Sequence, residues 1–412
     1  MHACAAPGTP ASGVRARLLI ATVLVFAACG GEDRRAGTPA VSEDVGGGNA
    51  TYCAIGVLEK PESTAVRRFN RTHRDDGFTG RFQALDGYER IPDVCDVALI
   101  DSAWLAHHVQ TGLIADLTER VEERRDDFVG AALELARYDD RYWALPRFVD
   151  VGFLYYDTPS AGTPPFTWQE AYGIGRRANG LVYAGARGPE LALHFLELAY
   201  SAGGSVLAED GRASQLDSPE NLRALELMSR GVARGAVPRS VMRMNTGDAR
   251  LAFAQGATVL RDWAFGFRAL RVGHWSSDYE IIDLPGFGDR PAVPVLLGRG
   301  VVVAEDAKTE PAALALAEYL TGREEAVRVS RRYRLPTALS ESYAGSAVLD
   351  YLPYSLELER ALESGRAHPI TPHWPEMAEA IAGRVHAALT GRMTPREALA
   401  AADRDVATLL AG

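Results

Sequence analysis

Lysine is almost missing from this chain. Two residues, Lys60 and Lys308, carry all of it, and the other basic groups are arginines scattered among a larger number of acids. With a formal net charge of −10 and no basic cluster, nucleic acid has no electrostatic reason to bind, and neither has an anionic lipid surface. Long apolar runs are scarce too: the run "LLIATVLVFAA" near the N-terminus is too short to span a bilayer as a mature helix. None of the four cysteines forms a Cys-x-x-Cys pair, so the usual metal and redox spacing is missing. There is no Gly-x-Ser-x-Gly elbow, no His-Glu-x-x-His and no phosphate loop, and "YGIGRRANG" has the wrong spacing for a dinucleotide fingerprint. His107 and His108 are adjacent, so on a helix they point about 100° apart and cannot share a metal; they read as a solvated face. These gaps argue for no metal, no cofactor and no enzyme. Paired glycosidase carboxylates are defined by distance in space, which leaves an exported hydrolase as a lesser alternative.

What is present begins at the N-terminus. Arg15 and Arg17 precede the apolar run, and small residues then lead into Cys29 and a glycine pair. The arrangement resembles a bacterial lipoprotein signal with "FAAC" as its lipobox, an ordinary secretory signal being the alternative. On that resemblance residues 1–28 are removed, Cys29 is lipidated, and residues 29–49 form a flexible tether at the outer face of a membrane. Cys53 and Cys95 would then occupy an oxidising setting, either bridged or as two buried free thiols.

From Thr51 onward short apolar runs alternate with amphipathic segments. "TYCAIGV", "GRFQAL" and "VCDVALI" read as strands, with the helix "PESTAVRRFNRTH" between the first two. This is βαβ grammar, and it implies a mostly parallel sheet with ligands outside the carboxyl ends of strands. "RYWALPRFVDVGFLYYD" reads as two extended pieces meeting at Pro146, where the chain crosses to a second set of elements. That set includes the helix "SPENLRALELMSRGVARG", capped by Ser218 and closing near Gly235. "PVLLGRGVVVAED" would return the chain to the first sheet, and "TPREALAAADRDVATLL" closes it with a helix on a Thr cap.

These pieces, in their order, resemble the extracellular solute-binding proteins of ABC importers, in the group that holds maltose, trehalose and other oligosaccharide binders. The resemblance rests on "DVALIDSAWLAHHVQTGLIADL", "YDDRYWALPRFVDVGFLYYD", "FTWQEA", "FLELAYSAGG", "ARLAFAQGATVLRDW", "LPGFG" and "AEYLTGREEAVRVSRRYRLPTALSE". It implies an α/β, two-lobed, periplasmic-binding-protein-like (type II) fold with a hinge and an interlobe cleft. Lobe one would hold 50–147 and 298–334, lobe two 148–297 and 335–412. The implied partners are a small polar ligand, an oligosaccharide, and the permease subunits, for a protein that acts as a monomer. The lesser alternative is a diverged lipoprotein that has lost sugar binding and serves as a sensor or an envelope interaction protein.

Sugar sites combine carboxylates and arginines, which bond hydroxyls, with flat aromatic faces for the apolar side of the ring. Asp101 and Trp104 occupy the family's strand-end position, although Asp101 has a second reading as a helix cap. Asp150 follows the crossover, and Trp263 closes "LRDW" either as a sugar platform or as a buried indole. Tyr155 and Tyr156 read as core. The chain departs from the family pattern at Arg299, where an aromatic is common, at Ala338, where an Arg is common, and at Gly188-Pro189, which replaces a Tyr-Glu pair. Arg299 is therefore a candidate partner for an anionic ligand group, and Arg334 a candidate for the missing Arg. A helix usual before the Asp101 strand is absent from the pattern.

Overall fold

The computed structural model describes residues 47–272, 279–343 and 345–411. The expected signal segment, Cys29 and nearly all of the tether lie outside these residues. Strand pairing starts within the last residues read as tether, because Gly48 and Asn49 already pair with Phe78 and Thr79.

Eleven strands follow in chain order: β1 (Gly48–Ile55), β2 (Phe78–Leu85), β3 (Val97–Asp101), a small hairpin of β4 (Arg137–Tyr138) and β5 (Arg141–Tyr142), β6 (Leu145–Asp157), β7 (Leu181–Val182), β8 (Val259–Trp263), β9 (Tyr279–Asp283), β10 (Val295–Val303) and β11 (Arg366–Ala367). The hairpin stands apart. The other nine form one sheet in the order β2-β1-β3-β10-β6-β8-β7, with β11 beside β10 and β9 beside β6. Parallel pairing holds for β1 with β2 and β3, for β7 with β8, and for β11 with β10. The centre is antiparallel, since β10 runs against both β3 and β6, and β6 against β8 and β9. The sheet is thus mixed rather than mostly parallel, because β6 and β10 enter against the direction of their neighbours instead of through helical crossovers.

Strand β6 explains why its sequence shows no alternation. Every residue from Leu145 to Tyr156 is buried, as expected of a strand covered on both faces. Pro146 does not break it. The register shifts between Arg299 and Gly300, where Gly300 pairs with Pro146, and this irregularity accommodates a residue with no N–H to give. Tyr155 and Tyr156 are core, as their sequence context suggests.

Helices group on either side of this central pair. Glu59–Thr72, Pro311–Thr321 and Arg323–Tyr333 pack with one another, the first two also against β1 and β2; Pro189–Ser201, Pro219–Ala233, Trp374–Leu389 and Pro395–Ala411 pack together elsewhere. Ser218 caps its helix by accepting from the Asn221 N–H, and Thr394 does the same with Glu397. Each group holds a fully buried ion pair. Arg147 donates to Glu62 at 2.9 Å, with the Tyr52 hydroxyl on the other carboxylate oxygen at 2.5 Å. Arg261 donates to Glu197 at 2.7 Å. Cys53 and Cys95 are joined as a disulfide with Cα atoms 5.8 Å apart, tying β1 to the irregular segment before β3. That segment contains no helix. His108 is fully buried rather than solvated: its Nε2 bonds the Tyr88 carbonyl at 2.8 Å, so the residue packs that segment onto the helix Ser102–Gln110.

Candidate binding cleft

The ends of β3 and β8 and the middles of β6 and β10 converge on a cavity of about 850 Å³. Asp101, Trp104, Asp150, Trp263 and Arg299 all line it, joined by Tyr88, Glu190 and Trp374. Arg334 does not. It is the left-handed cap, φ 57°, at the end of the helix Arg323–Tyr333, and it lines a separate depression with Arg271 and Glu357. Ala338 is absent from the lining as well: it is fully buried, and its N–H donates to the Arg147 carbonyl.

The helix-cap reading of Asp101 holds, and the residue also lines the cavity. Its Oδ1 accepts the Ala103 N–H at 3.1 Å, which caps the helix Ser102–Gln110, while Oδ2 lies 3.6 Å from the Arg299 guanidinium. Arg299 also donates from Nε to the Tyr88 hydroxyl at 2.9 Å and lies 5.0 Å from the Phe265 ring centroid. Burial works against its charge, but Tyr88, Asp101 and Asp150 outweigh this and raise the guanidinium above its ordinary value. Its charge is therefore met within the protein by Asp101, Tyr88 and Asp150.

Asp150 is the most buried carboxylate in the cleft, 3% exposed. Its Oδ1 accepts the amides of Val151 at 3.1 Å and Phe265 at 3.2 Å. Burial pushes its carboxyl up to about 7, against the pull of Arg299 and of the Phe265 amide. Across the sheet, Trp263 donates from Nε1 to Glu190 Oε2 at 2.6 Å, and the Arg261 guanidinium lies 3.9 Å from its ring centroid. Burial raises the Glu190 carboxyl too, more than the Trp263 N–H and Arg261 lower it. Trp263 is a buried indole, 5% exposed, that nevertheless borders the cavity.

The third indole, Trp374, stacks on His368 at 5.1 Å with the rings 14° apart. His368 is buried, and burial lowers its pKa, so the ring is neutral at pH 7. Its Nδ1 is 3.0 Å from the Pro369 carbonyl and therefore carries the proton, leaving Nε2 to accept the Ser102 hydroxyl at 3.0 Å. Ser102 in turn accepts the Gly298 N–H at 3.3 Å, so strand β10, the Asp101 helix and the Trp374 ring are held in one chain of contacts.

Cavity, strand ends and indoles together invite comparison with known proteins. Residues 91–327, more than half of the chain, match the family described as bacterial extracellular solute-binding protein. The chain belongs to that family. Solved structures similar to this solute-binding protein include maltose-bound T. maritima MalE3, at 22% identity and TM-score 0.79, covering 88% of this chain and 99% of that one. An ABC transporter solute-binding protein from Thermotoga lettingae bound with α-D-tagatose has 22% identity, TM-score 0.77 and coverages of 88% and 99%. The cyclic α-maltosyl-1,6-maltose binding protein from Arthrobacter globiformis has 19% identity, TM-score 0.74 and coverages of 89% and 99%. At these identities the likeness speaks for the fold, that of the two-lobed binding proteins. The family match spans Asp101, Trp104, Asp150, Trp263 and Arg299 and ends before Trp374.

The lining residues that escaped the sequence reading include Glu190, Trp374 and Tyr88. Glu190 directly follows the Gly188-Pro189 pair that marked a departure from the family pattern, and its carboxylate borders the cavity. Trp374 lies in the C-terminal region, within no periodic signal that singles it out. Tyr88 stands in an irregular segment, where only the fold brings it to Arg299.

Proposed function

We propose that this solute-binding protein is the receptor of an ABC importer, captures a carbohydrate in the cleft, and delivers it to permease subunits. In this reading Cys29 carries the lipid that keeps the protein at the outer face of the membrane. The lobes are 50–147 with 298–334, and 148–297 with 335–412, and they close about β6 and β10. Ligand bridging both lobes favours the closed form by its differential affinity. The observation that carries the proposal is the meeting of three indoles, Trp104, Trp263 and Trp374, with the carboxylates Asp101, Asp150 and Glu190 around one cavity of about 850 Å³. That is room for a small oligosaccharide, with flat faces for its rings and acceptors for its hydroxyls.

The test is titration of the purified protein with maltose, trehalose, maltotriose and cyclic maltosaccharides, followed by tryptophan fluorescence and calorimetry. Saturable binding to one of them, weakened about tenfold by Trp263→Ala as expected for a lost stacking contact of about 1.4 kcal/mol, supports it. No heat and no fluorescence change with any saccharide, up to millimolar concentration, would sink it.

A further inference from the structure

We infer that the cleft selects a saccharide bearing a protonated amine, an amino sugar or its oligomer, over the neutral sugar of the same size. This rests on the carbohydrate reading above and adds to it the charge of the ligand.

The ground is how charges pair around the cleft floor. Arg299 lines the cavity, while Arg250 and Arg261 stand behind it against the Trp263 strand, and each is answered by a carboxylate: Arg299 by Asp101 at 3.6 Å, Arg250 by Asp262 at 2.5 Å, and Arg261 by Glu197 at 2.7 Å. Two cavity-lining carboxylates are left over. Neither Asp150 nor Glu190 has a cation within ion-pair distance among the described residues. Asp150 is more than nine-tenths buried, and while its Oδ1 takes two backbone amides, its Oδ2 has no donor among the described residues. Glu190 places Oε2 on the Trp263 indole, and its Oε1 likewise has no donor among them.

Both carboxylates flank the same strand end. Glu190 is bonded to the side chain of Trp263, and Asp150 to the backbone of Phe265, two residues further on. Arg299 and Arg250 act on Asp150, and Arg261 on Glu190, only from beyond ion-pair distance, and burial outweighs their pull, so both carboxyls titrate above their ordinary range. A neutral sugar can offer them hydroxyl donors but no charge. An ammonium group brings three donors and the missing positive charge together, and a desolvated ionic hydrogen bond is roughly twice as strong as a neutral one. Elsewhere in the lining Glu379 is matched by Arg187 and Asp405 by Arg384, while Glu376 is exposed and has no ion-pair partner among the described residues.

The experiment is calorimetry of the purified protein at pH 7 with matched pairs: glucosamine against glucose, 2-amino-2-deoxymaltose against maltose, and the chitosan disaccharide against cellobiose and its N-acetylated form. The expected result is that, in whichever linkage binds, the amine form is at least tenfold tighter than its neutral partner, and acetylation of the amine abolishes the gain. Asp150→Asn and Glu190→Gln, each checked for an intact melting transition, should bring the ratio towards one. Equal or better binding of the neutral sugars overturns the amine selection and leaves the carbohydrate receptor standing. Silence from every pair overturns both.

Discussion

Asp150 concentrates the residue-scale physics of this protein. Its carboxyl titrates near 7 in the folded chain and near the ordinary 3.8 when unfolded, so between those values the folded state holds a proton that the unfolded state has released. Stability contributed by this group is therefore lost as pH rises from about 4 to about 7, and the deficit is constant above that. Asp150→Asn, which keeps an oxygen for the Val151 and Phe265 amides, should relieve it. The variant is expected to match the wild type near pH 4 and to exceed it by a few kcal/mol at pH 8, since each tenfold change in proton affinity is worth about 1.4 kcal/mol. Urea unfolding of both proteins across that range checks this, and a difference that does not grow with pH would refute it. The sequence placed Asp150 in the cleft through its neighbourhood, but its burial and its charge state follow from strands far apart in sequence. The same holds for Glu190, whose partner Trp263 is 73 residues away.

At the scale of elements, β6 was legible in composition and misleading in punctuation. Its apolar, aromatic run marks a buried strand, but Pro146 reads as a break, because from sequence alone nothing shows that the partner strand shifts register opposite it. Gly152, further along β6, has an equally non-local reason. A Cβ there would collide with Glu197 Oε1 and stand 2.8 Å from Arg261 Nη2, in the middle of a buried ion pair. Gly152→Ala should cost about 3–5 kcal/mol, the scale of disrupting such a pair, and is measured by denaturant unfolding. Gly130→Ala, where a Cβ meets nothing within 4 Å at the start of a helix, serves as the contrast and should leave the midpoint within about 1 kcal/mol of wild type or raise it.

At the scale of the whole molecule, the family and the two-lobed fold were readable because ordered motifs accumulate along the chain. The mixed sheet was not, because strand direction depends on where β10 inserts, and no local pattern encodes that. The disulfide is similar: two cysteines in apolar runs allow a bridge, and the pairing is decided by the fold that brings them to 5.8 Å. With its ends 42 positions apart in sequence, closing that loop should contribute about 4 kcal/mol in the chain-entropy account. Unfolding with and without reductant, and of the Cys53→Ser/Cys95→Ser variant, measures it; an unchanged midpoint in both would refute the contribution.

The position of β10 also sets a schedule. It is the only strand linking β3 to β6 among the described residues, and it is made after both. A ribosome or an export channel releasing this chain from its N-terminus exposes the free edge of β3, with half of β6 unpaired, until Val303 has emerged. Open strand edges are what aggregation feeds on, so emerging fragments of this protein need a holding chaperone, and truncations short of β10 should be recovered as inclusion bodies.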